Sequence, residues 1–87
     1  MTADEAKAAI AGFAAANRIR FVNHAREQMT ARRISYHDVR NVLVSSTSCS
    51  PSTDGPGRWL IRGVDLDGEA TRVVCAIENG VVVVTVF

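Results

Sequence analysis

The chain has 87 residues, of which 47% are hydrophobic and 22% charged, with a formal net charge of +1. That length supports one domain with a single layer of helices on a single sheet, and that charge gives no support for a nucleic-acid binder working through bulk positive charge. No stretch is apolar for long enough to span a bilayer and the N-terminus has no basic region leading into a hydrophobic run, so no membrane partner and a cytoplasmic location are expected.

Thr2-Ala3-Asp4-Glu5 has the form of a capping box, which predicts a first helix over residues 3–16 that presents Ile10 and Phe13 to a core and ends at Asn17. Residues 18–22 alternate apolar with polar and read as an edge strand flanking the closing strand. Asn23 is placed to cap a second helix running to Arg32, with Ala25 and Met29 one turn apart. A second capping box, Ser35-Tyr36-His37-Asp38, opens a third helix whose Val39, Val42 and Leu43 make an apolar stripe. Residues 46–57 are rich in Ser, Thr, Pro and Gly and read as a loop holding at most a short strand, with no glycine spacing of a phosphate-cradling loop. Three strands follow as a meander, over residues 58–64, 70–78 and 81–87. The whole is one α+β domain, residues 1–45 mainly helical and residues 58–87 a meander, with the helices packed on one face of a small antiparallel sheet.

Turn chemistry sets the register. Asn79-Gly80 is a two-residue hairpin signal that puts Glu78 opposite Val81, Val74 opposite Thr85 and Arg72 opposite Phe87. Asp65-Leu66-Asp67-Gly68 has the residue types of a type I turn followed by a left-handed glycine, which puts Arg62 opposite Arg72. Strand alternation then collects Trp59, Ile61, Val73, Cys75, Ile77, Val82, Val84 and Val86 on a core face. The other face carries Arg62, Arg72 and Thr85 together with Arg58, Leu60, Val83 and Phe87, too apolar to be fully solvated.

Chemistry has few carriers in this chain. Neither Cys49 nor Cys75 has metal-ligand spacing or a disulfide framework, neither histidine has a second ligand at usable spacing, and no nucleophile with an adjacent base is found; no metal and no cofactor are expected. The charge is unevenly placed: between Arg18 and Arg40 lie six arginines against Glu27 and Asp38. Nine arginines against the single Lys7 also fit a simple compositional bias. His24 falls at the start of the second helix, where the helix dipole favours a neutral, basic imidazole; a histidine that merely caps or packs is the alternative. Arg62 and Arg72, as cross-strand neighbours of like charge, cost stability unless an anion lies between them, and a phosphate matches the guanidinium fork. Pairing of each with Glu69 or Glu78 is the other solution. Thr85 is placed to donate to the same anion, though threonine is also simply a good strand former.

From about Arg20 to Phe87 the chain resembles a family of small bacterial proteins of uncharacterised function. The resemblance rests on Phe21-Val22-Asn23-His24-Ala25, Arg32-Arg33-Ile34-Ser35, Asp38-Val39 with Leu43, and Val84-Thr85-Val86-Phe87. That family is distantly similar to the RelE and MqsR toxins, small metal-independent ribonucleases. The resemblance implies a RelE-like, BECR-type fold, RNA as substrate and a cognate antitoxin as partner. It also implies catalytic roles for His24, Arg62, Arg72 and Thr85. Arg26, Arg32, Arg33 and Arg58 are the expected substrate-binding residues, and Leu60, Val83 and Phe87 the expected seat of the antitoxin. Arg33 stands where the family has a turn glycine, and Phe87 where it has a tyrosine hydroxyl. Two further readings stay open: an interaction domain that keeps the fold without the chemistry, and a helix-turn-helix in which Tyr36, His37, Arg40 and Asn41 read DNA.

Overall fold

The computed structural model describes residues 1–87. Eight elements follow one another: α1 (Ala3–Ala15), β1 (Ile19–Phe21), α2 (Asn23–Arg32), α3 (Tyr36–Val44), β2 (Ser48–Pro51), β3 (Arg58–Val64), β4 (Ala70–Ile77) and β5 (Val81–Val86). The fold is α+β. Its sheet has five strands in the order β1-β5-β4-β3-β2, and it is mixed rather than antiparallel because β1 runs parallel to β5. The sequence could place β1 beside the closing strand but contains nothing that sets its direction. In the segment read as a loop, Ser48–Pro51 pairs antiparallel with β3 and becomes the far edge of the sheet.

Both capping boxes form. The Thr2 hydroxyl accepts from the Glu5 N–H while Glu5 accepts from the Thr2 N–H, and Ser35 and Asp38 do the same for α3. The second helix starts differently: Val22 occupies its N-cap with no side-chain hydrogen bond, and Asn23 is already helical. The reason lies in the sheet, since the Val22 N–H donates to the Val83 carbonyl and continues the β1–β5 ladder up to the helix.

α2 ends at Arg33, which sits in the left-handed region at φ 56° and turns its N–H back to Met29 and Thr30. Glycine is the usual residue at such a helix end, and a side chain there costs about 1–2 kcal/mol. Arg33→Gly is therefore expected to stabilise the fold by about 1 kcal/mol, read as a rise in the urea midpoint at unchanged slope.

The Asp38 carboxylate accepts from the Ser35 N–H and hydroxyl and, through its other oxygen, from the Leu66 N–H, so it ties the start of α3 to the β3–β4 turn. Donation from the Ser35 and Leu66 backbone, then from the Ser35 hydroxyl, holds its pKa below the ordinary value. A depressed folded-state pKa stabilises the fold above the unfolded pKa of aspartate and loses that contribution as pH falls through the folded one. Ser35→Ala is expected to cost about 1 kcal/mol at neutral pH. Asp38→Asn should flatten the acid limb of the stability profile, measured by urea unfolding at successive pH values.

One face of the sheet is covered by helices. Ile10 of α1, Ala25 of α2 and Val39, Val42 and Leu43 of α3 are fully buried against Ile61, Val73, Cys75, Val81, Val83 and Val86. α3 comes close to the sheet at Gly63, where an added Cβ would lie 2.7 Å from the Val42 carbonyl oxygen. Burial pushes the Cys75 thiol up to about 12. The other face of the sheet has no helix on it.

Candidate functional site

The open face is organised by two turns. At the β3–β4 connection, Gly68 lies at φ 80°, its N–H donates to the Asp65 carbonyl, and Asp65 Oδ1 accepts from the N–H groups of Asp67 and Glu69. That locked turn puts Arg62 opposite Arg72 and Leu60 opposite Val74. At the β4–β5 connection the loop is Glu78-Asn79-Gly80, one residue longer than the two-residue reading, so Ile77 rather than Glu78 faces Val81. A β-bulge between Val74 and Cys75 of β4 leaves Val84 without a partner and restores the register, so Val74 does face Thr85. Arg72 and Phe87 exchange backbone hydrogen bonds of 2.7 and 2.8 Å.

The extra loop residue and the bulge cancel beyond Val84 but not before it. Val81 and Val83 are the buried core valines, while Val82 and Val84, expected in the core, are half-buried. Val83 therefore cannot belong to a docking surface beside the arginines, as the sequence reading had it.

Arg62 and Arg72 are both exposed and line one groove of about 480 Å³ at the β3–β4 turn end of the sheet, together with Thr47 and with Gly63 and Thr71 of the opposite face. Neither has a carboxylate partner, because the chain's one ion pair is Arg58–Asp54. The Arg72 guanidinium lies 4.4 Å from the Phe87 ring centroid, so Phe87 acts as a platform for that cation. Thr85 lies in an adjoining groove of about 430 Å³ whose floor is Leu60, Val74 and Phe87 and whose wall is Ser52, Thr53 and Asp54. Val74, on the helix-free side, is only 5% exposed, and residues 51–54 line the same groove.

The remaining predicted residues are dispersed. Arg58 pairs with Asp54 and holds the loop rather than standing free for a substrate. Arg26 and Arg33 line a separate groove on the helix side, between β1, α2 and α3, and Arg32 is exposed outside both. His24 is exposed on the first turn of α2 and lines none of these three grooves. β1 ends opposite Val83, and beyond that point α2 takes over the edge of β5, with Gln28 Oε1 accepting from the Val86 N–H at 2.9 Å. His24 thus belongs to the helix that follows β1, on the far side of β5 from β4 and its Arg72. Sequence reasoning missed Gln28, a polar residue without a motif, and missed Phe87 as the partner of Arg72, although their register was available.

Of the four side chains in the helix-turn-helix reading, two are held by the fold: Arg40 Nε donates to the Ala14 carbonyl and to Asn17 Oδ1, closing the C-terminus of α1, and Asn41 Nδ2 donates to the Val64 and Asp65 carbonyls. His37 is exposed and Tyr36 lines a groove on the helix side.

The architecture is thus that of a small α+β domain with helices on one sheet face and an unpaired arginine pair on the other. The chain belongs to the DUF4258 family, a domain of unknown function whose model matches residues 21–87. No curated protein and no solved structure matches it. No helix of the chain is long and apolar enough to cross a membrane.

Proposed function

We propose that the chain is a cytoplasmic toxin of a toxin–antitoxin system with a RelE-like fold, a metal-independent ribonuclease acting on RNA. The observation that supports this reading is the opposed pair Arg62 and Arg72, exposed, without carboxylates and backed by Phe87. Two like charges held opposite each other destabilise a sheet unless an anion is bound, and a phosphodiester supplies that anion with matching geometry.

In the proposed reaction a ribose 2′-hydroxyl attacks the neighbouring phosphorus and the bond to the 5′-oxygen breaks, leaving a 2′,3′-cyclic phosphate and a 5′-hydroxyl. Arg62 and Arg72 hold the non-bridging oxygens, where charge builds in the transition state, and Thr85 donates to the same phosphate. His24, the base the sequence offers, lies outside the arginine groove, so on this reading it takes the proton of the attacking hydroxyl only once RNA binding brings the two within hydrogen-bond reach. His37 is a poorer candidate, because it packs edge-on against Tyr36 in α3, on the helix side of the sheet. Phe87 has no proton to give, so the leaving 5′-oxygen is protonated by water.

A second reading follows from Phe87 and from the position of His24 outside the arginine groove. A domain that binds RNA or a protein anion on the same face without cleaving it needs neither group. Incubation of the purified protein with RNA in the presence of a chelator decides between them. The ribonuclease gives chelator-resistant cleavage that is lost in both His24→Ala and Arg72→Ala; binding without cleavage by the wild-type chain supports the second reading and ends the first.

A further inference from the structure

The largest groove of the molecule, about 730 Å³, is not on the arginine-bearing sheet face but between β1 and the α2–α3 corner. Ile19, Phe21, Met29 and Ile34 give it an apolar floor, Arg26 and Arg33 stand on its rim, and no carboxylate lines it. Both arginines are exposed and neither makes an ion pair.

One wall of this groove is an open strand. β1 is the last strand of the sheet and pairs only with β5. Val22 N–H donates to the Val83 carbonyl and the Arg18 carbonyl accepts from the Val81 N–H, so residues of that parity turn their polar groups toward β5. Alternation along a strand then turns the N–H and C=O groups of Ile19 and Phe21 to the free edge, beside the groove that their side chains line. An uncovered edge of this kind is a template for another strand.

We propose that this groove docks an extended acidic segment of a partner protein, which adds to β1 as a further strand, sets apolar side chains over Phe21 and Met29, and pairs carboxylates with Arg26 and Arg33. Charge chooses the occupant. A second copy of this chain would bring Arg26 and Arg33 against arginines, a basic partner would be repelled by them, and RNA has no strand backbone to pair with the free edge of Ile19 and Phe21. Arg33 presents its guanidinium on this rim from a left-handed backbone conformation in which glycine would fit without strain.

The test uses the full-length ¹⁵N-labelled protein and a short synthetic peptide alternating valine with glutamate, with a control peptide in which lysine replaces glutamate. The expected result is a saturable shift of the Ile19 and Phe21 amide resonances, slowed hydrogen exchange at both, and weakening by at least tenfold in Arg26→Ala combined with Arg33→Ala. Arg33→Gly should raise Tm while weakening the peptide, which separates a lost contact from a damaged fold. The proposal is overturned by no response at the β1 edge, by an equal response to the lysine peptide, by binding unchanged in the arginine variants, or by edge resonances that move with protein concentration alone.

Discussion

Replacing Arg62 by alanine is expected, on the proposed ribonuclease reading, to lower the rate of RNA cleavage by about two to three orders of magnitude, the usual cost of removing one preorganised group that stabilises transition-state charge. Stability should move the other way or not at all. Arg62 has no ion pair, is exposed and faces Arg72 across the sheet, so its removal relieves a repulsion and leaves no buried group unsatisfied. A loss of cleavage with Tm unchanged or slightly raised at low salt assigns the residue to function. Arg72→Ala is the less clean of the two, because it also removes the stack on Phe87, which is worth roughly 0.5–1 kcal/mol at an exposed site. If cleavage is proportionally retained in Arg62→Ala, the groove is not where charge develops.

The second large effect concerns how that arginine is held. Gly63 follows Arg62 on β3 and faces the helix layer, where its missing side chain lets α3 come down onto the sheet. A methyl group there would sit 2.7 Å from a backbone oxygen and 3.2 Å from the Cα of Val42, and neither can be moved by a rotamer change. Gly63→Ala is expected to destabilise by about 1–3 kcal/mol through overpacking. In a domain of this size that lowers Tm by roughly 4–8 °C per kcal/mol. Calorimetry measures it; an unchanged Tm would mean that α3 does not pack as closely on β3 as described.

Much of the sheet was legible because its turns carry strong local chemistry. Asp65 through Gly68 specify one loop length, and from it the facing of Arg62 and Arg72 follows without any knowledge of the rest. The hydroxyl-and-carboxylate boxes at Thr2 and Ser35 likewise mark helix starts from four residues each. The β4–β5 hairpin was read with two compensating errors. A run of valines offers no polar residue to mark its sides, so neither the longer Glu78–Gly80 loop nor the bulge at Val84 leaves a trace in the sequence, and the facing of Thr85 and Phe87 came out right only because the two offsets cancel.

What sequence could not supply was the assembly of distant pieces. The parallel direction of β1, the pairing of Ser48–Pro51 with β3 and the capping of the Val86 N–H by Gln28 all join segments far apart in the chain, with no motif on either side. The same holds for the basic segment. The six arginines between Arg18 and Arg40 cluster in the sequence, whereas the fold distributes them by local demands. Arg18 donates to Asn79, Arg20 to the Glu78 carbonyl and Arg40 to the end of α1, which leaves Arg26 and Arg33 on a groove remote from Arg62 and Arg72.

Arg62 and Arg72 are proposed to grip one phosphate together. The most direct measurement follows the guanidinium Nε–H resonances of the ¹⁵N-labelled protein during titration with a short single-stranded RNA whose 2′-hydroxyls are methylated and so cannot attack. The account predicts that the Arg62 and Arg72 signals move together with a single Kd that weakens steeply with salt. Movement of only one of them, or of neither while the RNA still binds elsewhere, contradicts it.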